Sequence, residues 1–291
     1  MAFFTALPHR ALIAVGGDDR AGFLQGMISN DMRHVEAGQA MWAAFLTAQG
    51  KFLHEFFVVP HRDAILLECE RARREDLIGR LARYKLRAKV TFAPLDTLQA
   101  GIAWGEGAAA ALETTETLGT VKARGDGVLY TDPRLKGAGV RFALTPDQAG
   151  GLALARATPE AYDAHRISLG LPDGSRDMEV DKALLLENGF EELHGVDFEK
   201  GCYIGQELTA RTHYRALIKK RLMPVSIDGA TPAPGEALTV DGRDAGEMKS
   251  IAGARGLALV RLDAWKSGGN LTAGAAHITP VKPDWMQLPQ D

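Results

Sequence analysis

The sequence predicts an α+β protein that ends in a small antiparallel β-barrel. Strand-like runs and a few helices mix through the first half without the regular strand–helix alternation of a doubly wound sheet. Thr158-Pro159-Glu160 opens a well-marked helix, with Thr at the cap, Pro at the first helical position and an acid in the first turn. After Arg221 the chain turns to short β-type pieces punctuated by Gly and Pro, and no convincing helix interrupts them.

Taken in order, Ala11–Val15 is an apolar run suited to a buried strand. Gly16-Gly17 follows, and Asp18 then caps a helix that carries Phe23, Leu24, Met27 and Ile28 and stops near Asn30-Asp31. Met41–Thr47 and Phe52–Val59, split by Ala-Gln-Gly-Lys, read as a hairpin, and Ala64–Cys69 as the next strand. Residues 71–86 place Leu77, Leu81 and Tyr84 at helical spacing. Val90–Ala93, Leu98–Trp104, Val128–Tyr130 and Val140–Leu144 are further strand candidates. The Thr158 helix should run to Leu169 and stop at Gly170, with Pro172 beyond. Leu222–Ile227, Ala237–Val240, Gly246–Ile251, Gly256–Leu262 and His277–Thr279 then supply the barrel. The expected division is an α+β region over 1–220, made of two interwoven lobes, and a barrel over 221–291, with the boundary near 217–223.

A chain of 291 residues, 46% apolar and 24% charged, has the composition of an ordinary folded protein. Net charge is −3 and no run of five like charges occurs, which argues against direct nucleic-acid binding. Arg71-Ala72-Arg73-Arg74 and Lys219-Lys220-Arg221 read as solvated faces that could each touch one phosphate. Two cysteines, Cys69 and Cys202, exclude a disulfide framework and favour a reducing compartment. No secretory signal or membrane-length apolar run is visible, so a cytoplasmic protein without membrane partners is expected.

The stretch most able to carry chemistry is Asp197–Glu207, continuing to Arg211, His213 and Arg215. Gly201 and Gly205 permit a tight turn. Helix-forming residues begin near Ile204, so Cys202 lies just before a helix start, whose unpaired N–H groups stabilise an anion, and Lys200 is two residues away. Both influences would activate the thiol. The alternative is a half-buried cysteine packed behind a turn.

Lys200–Glu207 reads Lys-Gly-Cys-Tyr-Ile-Gly-Gln-Glu and fills every fixed position of the signature of the YgfZ family, which the chain therefore resembles. Arg166-Ile-Ser-Leu-Gly-Leu-Pro172 and Phe23-Leu-Gln-Gly-Met-Ile-Ser-Asn-Asp31 resemble two further segments of that family. The resemblance implies a three-lobed fold like that of the glycine-cleavage T-protein, an aminomethyltransferase, around a cavity for tetrahydrofolate. It implies work in the assembly or repair of iron–sulfur clusters, with client enzymes or assembly factors as partners. Cys202 then becomes the functional thiol, supported by Lys200, Gly201, Tyr203, Gly205, Gln206 and Glu207.

The resemblance also puts Glu187, behind three leucines, where the pterin edge needs an acid; a turn cap or a pair with Arg166 are its other readings. Arg211 and Arg215, one helical turn apart, could meet a folate glutamate tail or surface acids. Where the aminomethyltransferases carry an Asp at the reacting centre, this chain has His54 and Glu55, which point to opposite sides of a strand. Glu55 is the one favoured to face the cavity, or else it is an ordinary strand acid reaching solvent. Its extra methylene argues against glycine-cleavage activity. A dinucleotide-like Gly105-Glu-Gly107 lacks the long helix that such a loop needs. The histidines show no metal spacing, and no resident metal is expected. Besides the iron–sulfur role, a folate-dependent one-carbon transferase and a folate-dependent regulator of tRNA modification stand as alternatives.

Overall fold

The computed structural model describes residues 1–215 and 218–288. The expected boundary at 217–223 thus begins on a residue outside the described set, as do the last three residues assigned to the barrel.

The hairpin Met41–Leu46 and Phe52–His61 forms as expected, with Gly50 at φ +80 in its turn. It heads a five-stranded antiparallel sheet that continues through Ala64–Glu70, Arg10–Gly16 and Thr91–Pro94. Both faces of the sheet are covered, which is why these strands read as continuous apolar runs rather than as alternating ones. Met41, Ala43, Phe45, Phe56 and Val58 face the helices Arg20–Gln25, Arg33–Glu36 and Arg74–Tyr84. Trp42, Ala44, Leu46, Phe57 and Val59 face the opposite way, into a core shared with Ala100, Val128, Tyr130 and Ala143.

Those last residues belong to a six-stranded sheet ordered Ala155–Arg156, Ala2–Ala6, Gln99–Gly105, Val140–Leu144, Gly127–Thr131 and Val121–Arg124. Ala2–Ala6 and Val121–Arg124 add to the expected strands. The Pro146–Gly150 helix is held by a reciprocal cap between Thr145 and Gln148.

The Pro159–Leu169 helix has the expected ends: the Thr158 hydroxyl accepts from the Ala161 N–H and Gly170 closes it at φ +78. The helix after Gly17 is shorter than expected. It spans Arg20–Gln25 with Asp19 at its cap, because the Asp19 carboxylate accepts from the Lys89 N–H and Gly26 is drawn off to a distant loop described below.

Six antiparallel strands close into a barrel from Lys220 to Pro280. It includes a strand at Leu271–Ala273 and a short helix at Leu262–Lys266 that the sequence reading lacks. The Arg166–Pro172 segment joins the barrel to the rest. Arg166 donates to the Asp177 carboxylate at 2.7 Å and to the Ser250 hydroxyl at 2.7 Å, and the Trp285 indole N–H donates to the Leu169 carbonyl. Arg221 corrects the reading of its basic cluster as a solvated face. It is 1% exposed and donates to the Leu186 carbonyl and to Glu192, because it seats the first barrel strand against the Leu186–Asn188 turn. Among the described residues no helix is long and apolar enough to cross a membrane.

Candidate functional site: a clamped thiol loop

The helix Gln206–Tyr214 starts from Gly205, which sits at φ +81, and the Gln206 side chain reaches back to accept from the Tyr203 N–H at 3.1 Å. Cys202 stands just before this start and is exposed. Two sets of contacts fix the loop that bears it. On one side Gly205 seats in the 41–61 hairpin: a Cβ there would lie 2.3 Å from the Thr47 carbonyl oxygen and 3.0 Å from Gly50 Cα. Gly50 is equally constrained, since a Cβ on it would lie 2.6 Å from the Gly205 carbonyl oxygen. Each glycine is required by the other's backbone. Gly201, at φ +90, meets nothing within 4 Å and faces open space.

On the other side the Phe23–Asp31 segment grips the loop. The Gln25 side chain donates to the Lys200 carbonyl at 3.0 Å, and the Lys200 ammonium donates to the Gln25 carbonyl at 2.5 Å. The Gly26 carbonyl accepts from the Ile204 N–H, and the Ser29 carbonyl from the Asp197 N–H. The Ser29 hydroxyl donates to Gly195 and accepts from the Ala44 N–H, while Asn30 donates to the carbonyls of Trp42 and His194. These residues were visible only as part of a resembling segment; their role as the loop's cradle was not. Lys200 is buried apart from this bond and the Tyr203 ring face, 4.7 Å away. Burial pulls its ammonium down to about 8, against the attraction of Asp31, Asp197 and the Cys202 sulfur. Glu207 is exposed in the first turn of the helix, where a negative charge suits the helix dipole. Burial pushes the Cys69 thiol up to about 12, so Cys202 is the thiol available to chemistry.

Of the residues expected to hold folate, Glu55 lies in a closed ion-pair cluster, while the Leu186–Asn188 turn that carries Glu187 packs against the helix that carries Arg211. One Glu55 carboxylate oxygen is paired with Arg10 and the other accepts from the Trp42 indole N–H at 2.7 Å. Around it lie Arg10–Glu68, Arg141–Glu68 and Asp132–Arg134 pairs, leaving a void of about 10 Å³. That is about the space of one water and far below that of a pterin. His54 points to the opposite face and bonds to Asp76 at 2.9 Å; burial lowers its imidazole to about 4. Glu187 is half-buried in the Leu186–Asn188 turn. Burial raises its carboxyl above the usual range, opposed by the backbone N–H groups of Lys220 and Lys219 beside it. Arg166 is engaged by Asp163 and Asp177 and does not pair with Glu187. Arg211 and Arg215 are exposed and pair with no acid among the described residues. A cleft of about 370 Å³ lies beside the thiol loop, walled by Asn30, His34, Met41, Leu118, His194 and Asp197.

The barrel matches the family described as "CAF17, C-terminal beta-barrel domain" over residues 219–288. The whole chain is similar to the mouse protein named "Iron-sulfur cluster assembly factor IBA57, mitochondrial", with 34% identity across 96% of this chain and 84% of that one. The human protein of the same name is 33% identical over the same shares. A homologue from Mycosarcoma maydis is 33% identical over 81% of this chain and 60% of that longer protein. Among solved structures, the glycine cleavage system aminomethyltransferase T from Bartonella henselae superposes with a TM-score of 0.76 over 97% of this chain and 85% of that one. At 16% identity it shows the T-protein fold and nothing of the activity. The relatives overturn the expected cytoplasmic placement, since each is named as mitochondrial. Addresses of that kind are read on removable leaders, and the folded body carries no sign of them. With about a third of its residues identical to these relatives over nearly its full length, and a barrel that matches the family domain, the chain belongs to the IBA57/YgfZ family of iron–sulfur cluster assembly factors.

Proposed function

We propose that the chain serves iron–sulfur cluster assembly or repair by presenting Cys202 as a single thiolate ligand to a cluster carried by a client enzyme or assembly factor. The observation that carries this reading is the exposed Cys202 on a loop held from both sides, in a chain whose other cysteine is buried. One thiolate cannot hold a cluster alone, so the remaining ligands come from the partner or from a small thiol. The loop's own groups do the preparatory work. The Gln25–Lys200 clamp and the Gly205 seat hold the loop in place, and Gly201 beside the sulfur faces open space. Replacing Cys202 by Ser in cells that lack the native protein should abolish its support of iron–sulfur enzymes. Rescue equal to wild type would end the thiol-centred reading.

Tetrahydrofolate binding is the finer part of the proposal. The T-protein fold supports it, and so does the volume of the 370 Å³ cleft, where Met41 and Leu118 offer apolar contact and Asp197 an acid edge for a pterin. The closed space around Glu55 does not admit one. Titration of tetrahydrofolate against the tryptophan fluorescence should give saturable quenching that Met41→Trp in the cleft weakens. An unchanged titration in that variant would remove the cleft from the account. A one-carbon transferase is not favoured, because both oxygens of the acid at the would-be reacting centre are taken by Arg10 and Trp42.

A further inference from the structure

The Arg20–Gln25 helix ties two exposed features together. Its start is bonded to Lys89, through the Asp19 carboxylate at 2.7 Å and the Asp19 N–H at 3.3 Å. Its end holds the thiol loop, through Gln25 to Lys200 and Gly26 to Ile204. Seven residues of helical rise separate those anchors by about 10 Å.

The segment just before Lys89 is unlike the rest of the surface. Residues 80–89 read Arg-Leu-Ala-Arg-Tyr-Lys-Leu-Arg-Ala-Lys, five cations without an acid, in a chain of net charge −3. Arg80 is taken by Asp76, and Lys89 lies 3.6 Å from Asp18, but Arg83, Lys85 and Arg87 pair with no acid among the described residues. Between them Leu86 is 90% exposed, at φ +44 in the left-handed position that closes the Arg74–Tyr84 helix. Tyr84 leans on Phe45 and stays 43% exposed. A basic rim around a bare apolar knob suits an acidic protein face with an apolar contact at its centre. Gly22, on the helix that joins the two anchors, is exposed and meets nothing within 4 Å.

We propose that the Arg83–Arg87 knob docks the acidic face of the protein partner whose cluster meets Cys202. The inference rests on the proposed thiol function, and its occupant is a protein rather than a bilayer because the helix bonded to Lys89 also holds the thiol loop, whose cluster is carried by that same partner. The test uses the full chain and, as acidic probe, a fluorescent decaglutamate peptide, followed by anisotropy at low salt. Wild type should bind it, and Arg83→Glu with Arg87→Glu should weaken binding at least tenfold, with unchanged unfolding and unchanged Cys202 alkylation. The same double variant should fail to support iron–sulfur enzymes in cells. Cys202→Ser should bind the peptide as wild type does, so a failure of the thiol reading is seen separately. The proposal is overturned by equal peptide binding in the double variant, by wild-type enzyme support from it, or by binding to phosphatidylglycerol vesicles without binding to the peptide.

Discussion

Replacing Gly205 by Ala tests whether the thiol loop is seated on the hairpin turn. At φ +81 an alanine costs about 1 kcal/mol or somewhat more from its own backbone. Its methyl would also lie 2.3 Å from the Thr47 carbonyl oxygen, 2.9 Å from Leu46 Cβ and 3.0 Å from Gly50 Cα. Two of these are main-chain atoms, so no rotamer change relieves the overlap. The loop must lift off the hairpin, and overpacking of this kind costs about 1–3 kcal/mol more. The expected total is about 2–4 kcal/mol. Gly201→Ala is the control: φ is +90 there too, but the methyl enters open space, so only about 1 kcal/mol is at stake. Urea unfolding followed by tryptophan fluorescence measures both, and the iodoacetamide rate at Cys202 reports whether the loop has moved. Equal losses for the two variants, within about 0.5 kcal/mol, would refute the seating.

Other perturbations have defined outcomes. His54, lowered to about 4 by burial, is neutral in the fold while its unfolded counterpart protonates near 6.5. Stability should therefore fall as pH drops from 6.5 toward 4, and His54→Gln should flatten that slope in pH-dependent urea unfolding. Lys200, lowered to about 8, has its ordinary value at 10.5, so its contribution should rise with pH between these limits. Lys200→Met should remove that rise, measured as the stability difference from wild type between pH 8 and 10. Arg141→Met removes a cation from buried Glu68 and should cost about 3–5 kcal/mol in chemical unfolding; a loss under 1 kcal/mol would mean that the pair is dispensable.

The fold was legible where local chemistry decides it. The Thr158-Pro159 start and Gly170 stop of one helix, the Gln49-Gly50 turn of the hairpin and the short punctuated runs of the barrel are local signals, and the structure keeps them. Legibility failed where distant groups intervene. The helix expected to reach Ile28 ends at Gln25, where Gly26 bonds to Ile204. Arg221 read as a surface charge because its acceptors, Leu186 and Glu192, lie in another part of the chain. The site divides in the same way. Cys202 and its glycines stand together in one octapeptide, whereas Gln25 is 175 residues away from the Lys200 it grips. Glu55 shows the strongest contrast. Strand alternation put His54 and Glu55 on opposite faces, but Arg10, Trp42 and the neighbouring arginines that fill the surroundings of Glu55 come from separate strands and turns.

The central claim is that one clamped thiol contributes to a cluster whose other ligands come from elsewhere. It is tested most directly by anaerobic incubation of the purified chain with ferric iron and sulfide, with and without glutathione, followed by desalting and visible absorption. The account predicts no retained cluster from the chain alone, and a glutathione-dependent chromophore that Cys202→Ser abolishes. The same chromophore retained by Cys202→Ser would contradict it.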